Sequence, residues 1–300
     1  MQISRGIIRY VLRQVIPHSQ RFKAVLKVAK WFKPVLPVAL KQKMPDVQQE
    51  QPWVNTSHQR RMLVVEGCAQ SVLTPATNAA AARVFDKLGV QLVIAPKAGC
   101  CGALSHHLSA QEESLAMMRR NIDAWWPYIE QGIEAILSTA SGCGVVIKDY
   151  AHLLKDDAAY AAKAKRVSAL AKDISEVLAN ENWSSISFAP KYKKVAFHSP
   201  CTLQHGQKLS GVVEGVLSDV GYKLSPVQDA HLCCGSAGTY SLLQPELSQQ
   251  LLINKLSSLQ ENKPDVIASA NVGCQMHLAS QASAPVKHWI ELVDEACRRA

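Results

Sequence analysis

The feature that most constrains the fold of this chain is a cysteine pattern that occurs twice. A vicinal cysteine pair followed by glycine stands at 100–102 and again at 233–235. In each copy a lone cysteine precedes the pair by 32 residues, and one further cysteine follows it. The two sets are Cys68, Cys100, Cys101 and Cys143, and Cys201, Cys233, Cys234 and Cys274. Among the nine cysteines of the sequence, only Cys297 lies outside this pattern.

The repeat predicts two similar units, because Cys201 and its vicinal pair lie 133 residues after their counterparts, a normal domain length. Apolar runs at Met62–Gly67, Val90–Ala95 and Glu134–Thr139 predict strands, and each strand leads into a cysteine turn. The intervening segments, such as 110–131, predict helices. Strands that alternate with helices are typical of a parallel sheet whose sites lie at the carboxyl ends of the strands.

The second unit predicts the same order of elements. Its strands are expected at Val195–His198, Tyr222–Val227 and Asp265–Ser269, and its first helix over 202–219. A helix near Val167–Leu178 would close the first unit. Further helices are expected over 245–261 and 289–299. The sequence therefore indicates an α/β fold of two tandem homologous βαβ-type units with parallel sheets and cysteine turns at the strand C-termini. The expected boundaries are 61–180 for the first cysteine-rich domain and 192–300 for the second.

An N-terminal basic segment, residues 1–60, precedes the units. It holds eleven Lys/Arg against two Asp/Glu, whereas the remaining 240 residues hold 22 of each. Short amphipathic helices are expected around 7–15 and 22–32, followed by a polar linker over 46–60. Such helices suit packing on the body or on a partner chain, and a basic amphipathic helix also suits the inner face of a membrane. The balanced body argues against a nucleic-acid-binding face.

The cysteine sets indicate metal or redox chemistry. No apolar run is long enough for a membrane span and no signal peptide is evident, so a cytoplasmic location is expected. In that compartment cysteine clusters usually hold metals or act in redox reactions. Four thiolates suit an iron–sulfur cluster or zinc. Adjacent cysteines favour the larger cluster over a single zinc ion, although zinc-bound and metal-free sets both stay open. The pattern leaves Cys297 as an ordinary helix cysteine.

Several local strings resemble a known family. Two Cys-x31-Cys-Cys-Gly units, each with a later cysteine, are similar to the cysteine-rich (CCG) domain family, to which one of the heterodisulfide reductase polypeptides belongs. Closer still is the resemblance to the iron–sulfur subunits of bacterial glycolate oxidases. The strings that carry it are GCAQSVLTPATNAAAARV, AGCCGA, NIDAWWP, TASGCG, CTLQHGQKL, HLCCGSAGTY and NVGCQMHLAS.

The resemblance implies an electron-transfer subunit with iron–sulfur clusters of the 4Fe-4S type bound by the eight cysteines. FAD-containing partner subunits would oxidise glycolate to glyoxylate, and electrons would pass through this chain towards a quinone pool. The chain itself would then hold no hydroxy-acid substrate pocket and no FAD.

Two departures from the family pattern matter. Val146 and His277 stand where the fuller CCG pattern has one more cysteine. The two ferredoxin-like cysteine runs that begin such subunits are also not found before Cys68. A non-redox or zinc-bearing scaffold that docks the flavoprotein subunits is the second hypothesis. A thiol–disulfide enzyme acting through the vicinal pairs is the third.

Overall fold

The structure is a computed structural model that describes residues 2–32 and 47–300. Two helices come first, α1 (Gln2–Val15) and α2 (Ser19–Phe32), so the expected N-terminal helices are present. Residues 47–58 form neither helix nor strand. Pro34 and Pro37, which were expected to punctuate this segment, lie outside the described residues. None of the helices within the described ranges is long and apolar enough to cross a membrane.

The first unit alternates strands and helices, as the sequence predicts. Its elements in chain order are β1 (Arg60–Val64), α3 (Gln70–Leu73), α4 (Pro75–Lys87), β2 (Val90–Val93), α5 (Ala103–His107), α6 (Gln111–Glu130), β3 (Ile136–Ser138), α7 (Ser141–Lys148), α8 (Tyr150–Leu153), α9 (Ala161–Leu170), β4 (Ala171–Asp173) and α10 (Ile174–Leu178).

The second unit repeats this order with one irregular turn. Its elements are β5 (Lys194–His198), a π-helical turn (Thr202–Gly206), α11 (Val212–Asp219), β6 (Lys223–Leu224), α12 (Tyr240–Leu243), α13 (Pro245–Gln260), β7 (Val266–Ser269), α14 (Val272–Ala279), β8 (Val286–His288) and α15 (Trp289–Arg299).

Each unit is built on a four-stranded parallel sheet. The strand orders are β2-β1-β3-β4 and β6-β5-β7-β8, and every neighbouring pair is parallel. The strand order reverses beside the first strand of each unit, and ligands bind at such a switch point in open α/β sheets. The predicted α/β fold with two tandem parallel units is confirmed.

Three expected elements are wrong. The helix expected near 167–178 is interrupted by β4, where Ala171 is extended and buried beside β3. The helix expected over 202–219 is interrupted as well, because Lys208 and Gly211 adopt φ of 60° and 80°. The strand expected over Tyr222–Val227 shrinks to two residues, since Pro226 has no N–H for the ladder.

One hydrophobic cluster joins the two units. It includes Phe85 and Ile174 from the first unit and Phe197, Leu217 and Trp289 from the second. The packing is reciprocal, because α4 of the first unit packs on α15 of the second, while α10 packs on α11. The two sheets are therefore held against each other, which fixes the position of their cysteine turns.

An ion pair and two strand-end residues support this arrangement. Arg83 of α4 forms a bidentate pair with the buried carboxylate of Asp294 in α15, with N–O distances of 2.9 and 2.7 Å. Asp173, at the end of β4, caps α10, and His288, at the end of β8, caps α15. These equivalent caps show that the fourth strands are duplicated too.

Candidate metal centres

The first cysteine set assembles at the carboxyl edge of the first sheet. Cys68 follows β1, the vicinal pair follows β2, and Cys143 lies in the first turn of α7 after β3. The sulfur atoms of Cys68 and Cys100 are 3.4 Å apart. Cys101 is in thiol contact with both Cys100 and Cys143. Because β1 lies between β2 and β3, three neighbouring strand ends deliver all four thiols to one place.

The second cysteine set has the same arrangement. Cys233 is in thiol contact with Cys201 and Cys234, and Cys234 is in thiol contact with Cys274. Cys234 is fully buried, whereas Cys201 and Cys233 are half-buried. All nine cysteines of the chain are free thiols. The structure therefore brings together all four predicted cysteines of each set.

Ionisation within each set is uneven. Hydrogen bonds donated by Cys101 and Cys68 lower the pKa of the Cys100 thiol well below its usual range. Bonds from Cys201 and Cys234 lower the pKa of Cys233 to about 2. The pKa values of the donating thiols are raised, because each shares its proton with the thiolate. Four thiolates cannot crowd together unless a cation replaces the protons.

A glycine after each vicinal pair lets the backbone turn tightly. Gly102 and Gly235 adopt φ of 92° and 88°, a left-handed conformation that favours glycine. The carbonyl of each glycine accepts a hydrogen bond from a buried serine on the following long helix, Ser114 at 3.0 Å and Ser248 at 2.8 Å. These bonds fix the vicinal pairs against α6 and α13.

The backbone beside the first pair is also held by side chains. Asn121 and Arg120 of α6 donate hydrogen bonds to the carbonyl of Cys100, at 2.9 and 3.0 Å. Tyr150 donates to the carbonyl of Cys101 at 2.8 Å. In the second unit Lys255 occupies a comparable place, since its buried ammonium donates to the carbonyl of Asp229 at 2.8 Å. One cation thus lies near each cysteine set.

The two sets are neighbours. The backbone N–H of Ser141 donates to the carbonyl of Ala270 at 3.1 Å, and the hydroxyl groups of Ser141 and Thr202 are 2.8 Å apart. The N–H of Gly142 donates to Oδ1 of Asn271 at 3.2 Å. Direct hydrogen bonds therefore join the turn that carries Cys143 to the turn that carries Cys274.

Known proteins with the same pattern agree with this duplication. The family model of the cysteine-rich domain (CCG) matches residues 62–148 and 195–279. The chain belongs to the cysteine-rich CCG family. Both matches lie inside the expected units, while the full boundaries 61–180 and 192–300 stay a prediction.

Curated relatives extend the match beyond the cysteine turns. The glycolate oxidase iron–sulfur subunit of Escherichia coli (strain K12) is 51% identical over 98% of this chain and 72% of that protein. The probable glycolate oxidase iron–sulfur subunit of Bacillus subtilis (strain 168) is 28% identical over 73% of this chain and 49% of that protein. Lactate utilization protein A of Bacillus licheniformis is 25% identical over 71% of this chain and 88% of that protein. The resemblance to glycolate oxidase iron–sulfur subunits is confirmed.

The two CCG units differ in the side chains that face their cysteines. An imidazole nitrogen of His198 and the sulfur atoms of Cys234 and Cys274 all lie within 4.8 Å of one another. The Nδ2 atom of Asn271 donates to the sulfur of Cys274 at 3.5 Å. Neither residue was predicted from the sequence. His198 ends a predicted strand and follows the apolar pattern of that strand, so only its position three residues before Cys201 could have marked it.

The residues that depart from the family pattern do not supply equivalent ligands. Val146 is buried in the outer core of the first CCG unit. The Nε2 atom of His277 lies 3.1 Å from the hydroxyl of Ser248, so it supports the second glycine turn instead. Burial lowers the pKa of His277, which keeps the ring neutral.

Cys297 lies apart from both sets. It is buried in the hydrophobic cluster that joins the CCG units, and burial raises its pKa to about 11. The structure thus agrees with the expectation of an ordinary helix cysteine. Of the other histidines near the pairs, His106 is exposed and bonds Gln111 at 3.0 Å.

Proposed function

We propose that this chain is the iron–sulfur electron-transfer subunit of a glycolate oxidase. The observation that carries the proposal is the pair of adjacent four-thiol sets, built by the same three strand ends in two CCG units. The names of two of the curated relatives above support it. The proposed ligands are Cys68, Cys100, Cys101 and Cys143 in the first centre, and Cys201, Cys233, Cys234 and Cys274 in the second.

The residues fit a thiolate-bound cluster in three respects. The four thiols of each set are soft ligands, and their crowding disfavours full ionisation without a cation. The glycine turns remove side chains where the backbone bends closely around the set. A backbone N–H from Gly235 points at the sulfur of Cys233 at 3.3 Å, and such bonds stabilise a thiolate. When bound, an iron–sulfur cluster supplies a one-electron carrier; we propose the 4Fe-4S type.

The substrate chemistry would take place on partner subunits. We propose that FAD on those flavoprotein subunits accepts the hydride from glycolate, forming glyoxylate. This chain would then carry the electrons singly towards a quinone pool. The two adjacent centres suit that role, because hydrogen bonds between the Cys143 and Cys274 turns give a short path from one centre to the other.

The N-terminal helices offer a surface for docking. Apolar side chains of α1 and α2 are exposed, among them Ile7, Val11, Val28 and Trp31, the last with 81% of its surface accessible. Basic residues such as Lys27 lie on the same helices. We propose that this face attaches the complex to the inner face of the membrane. Mixing the chain with vesicles of anionic and of neutral lipid, and repeating this with Trp31→Ser, tests the attachment.

Electron transfer itself is tested with the assembled complex. Glycolate added anaerobically to the chain and its FAD subunits is expected to reduce the clusters, seen as bleaching of their visible absorption. Cys101→Ser or Cys234→Ser should remove much of this change, and Cys297→Ala is the matched control. Reduced flavin with unchanged cluster absorption would contradict the proposal.

One observation favours the second candidate, a zinc-bearing scaffold. A tetrahedral zinc site with Zn–S bonds of about 2.3 Å has sulfur–sulfur edges of about 3.8 Å. The 3.4 Å between the sulfur atoms of Cys68 and Cys100 is near that value. A cluster with several metal atoms needs these thiols to rotate apart. Analysis for zinc, iron and sulfide separates the two functions.

A further inference from the structure

The two centres differ in the polar groups that face their sulfur atoms. His198 and Asn271 contact the second set, and the equivalent positions in the first unit are Val65 and Ala140. Neither valine nor alanine has a side-chain hydrogen-bond donor. We propose that the second centre therefore has the higher reduction potential and accepts electrons from the first. This inference rests on the proposed function, since it requires a cluster in each set.

His198 is placed to donate a hydrogen bond to the second centre. Its side chain is buried, with the residue only 1% exposed. The Nδ1 atom lies 3.1 Å from the hydroxyl of Ser269. Within the described part of the chain, Nε2 has no hydrogen-bond partner. A proton given by Ser269 to Nδ1 leaves the ring proton on Nε2. Four thiolates already supply the ligands, so this N–H serves as a donor to sulfur.

Asn271 is held in the matching orientation from the other side. Its Oδ1 atom accepts the N–H of Gly142 at 3.2 Å. That bond directs the amide nitrogen towards the sulfur of Cys274, at 3.5 Å. The first unit has no equivalent, because Ala140 takes this place after β3. A residue anchored in one unit thus donates to the centre of the other.

Both donors act in the same direction on the potential. Reduction adds one negative charge to a cluster, and N–H groups that face its sulfur atoms stabilise that charge. Water access also stabilises it, and a cavity of about 270 Å³ opens beside Cys233. The nearby cations do not distinguish the centres, because Arg120 lies near the first set and Lys255 near the second. One electron leaving the first centre therefore reduces the second.

The test is a redox titration of the anaerobically reconstituted full chain, followed by EPR. Iron and sulfide are first measured, because their absence would refute the proposed function rather than this inference. Two midpoint potentials are expected in the unmodified chain. In His198→Val and in Asn271→Ala the higher potential should move down, while the lower stays in place. Both variants introduce the side chain found at the equivalent position of the first unit.

The control is Val65→Ala, which removes apolar volume near the first centre and should leave the higher potential unchanged. A shift of the lower potential in His198→Val, or no shift at all, would overturn the inference. A measurement without substitution guards against misfolded variants. In chain labelled with ¹⁵N-histidine, a weak nitrogen coupling is expected at the higher-potential centre only. Finding no coupling there would also overturn the inference.

Discussion

Replacing Gly235 by alanine tests how the tight turn builds the second centre. Gly235 has φ of 88°, and a side chain in the left-handed region costs roughly 1–2 kcal/mol. A Cβ atom there would lie 2.4 Å from the carbonyl oxygen of Ser248 and 3.0 Å from Cβ of Leu251. The carbonyl belongs to α13 and cannot rotate away, so the turn must shift. Overpacking of this kind costs about 1–3 kcal/mol.

Three other glycines provide matched controls. Gly102, with φ of 92°, would place a Cβ 3.0 Å from the carbonyl oxygen of Ser114, so the crowding is milder. Gly132 has φ of 81° but open space around it, which leaves the backbone strain alone. Gly215 lies within α11 with no atom within 4 Å of a new Cβ, and alanine there should add about 0.5–1 kcal/mol of stability.

The assay is urea unfolding of the metal-free chain, with iron retention after reconstitution as the second readout. Gly235→Ala should lower the free energy of unfolding by about 2–5 kcal/mol, from the strain and overpacking together. Gly102→Ala should lower it less, and Gly132→Ala by about 1–2 kcal/mol. Gly235→Ala should also lose iron from one centre. If it is no more destabilising than Gly132→Ala, the close approach to α13 does not shape the turn.

The remaining predictions concern other parts of the molecule. Cys101→Ser and Cys234→Ser should each lower bound iron and sulfide by about half, whereas Cys297→Ala should leave both unchanged in elemental analysis. Burial lowers the pKa of His288 to about 4 from 6.5, so the unfolded chain binds this proton first. Stability should then fall between pH 6.5 and 4, by up to about 1.4 kcal/mol per pH unit, and urea unfolding of His288→Gln should show a smaller decrease. Arg83→Met leaves the Asp294 carboxylate buried without its bidentate partner, so thermal unfolding should show a loss of about 3 kcal/mol. An unchanged melting temperature would refute a stabilising role for the pair.

The duplicated cysteine pattern allowed much of the fold to be predicted. Long apolar runs such as Val195–His198 appear as buried strands, and their order fixes a parallel sheet. The fourth strands, β4 and β8, were missed. Each has only three residues with a central lysine, and its main support is tertiary, from pairing with β3 or β7. A short mixed run of this kind carries too little periodicity for sequence-based prediction.

The cysteines of the site were predicted, but their surroundings were not. Each cysteine follows a predicted strand end, and parallel strand ends meet at one edge of the sheet. His198 and Asn271 became visible only in three dimensions, because their roles depend on contacts across the sheet and across the two units. Comparing equivalent positions of the repeat, such as Val65 with His198, could have found them from the sequence. A difference between duplicated sites marks specialisation that a shared motif hides.

The most direct test of the central claim is the metal content of the full chain after anaerobic reconstitution, measured with EPR of the reduced protein. We expect iron and acid-labile sulfide in equal amounts, a brown colour, and an EPR signal that appears on reduction. Replacing one cysteine of each set together, as in Cys101→Ser with Cys234→Ser, should abolish the signal. A colourless chain that binds zinc or no metal would contradict the claim that the eight cysteines hold electron-carrying clusters.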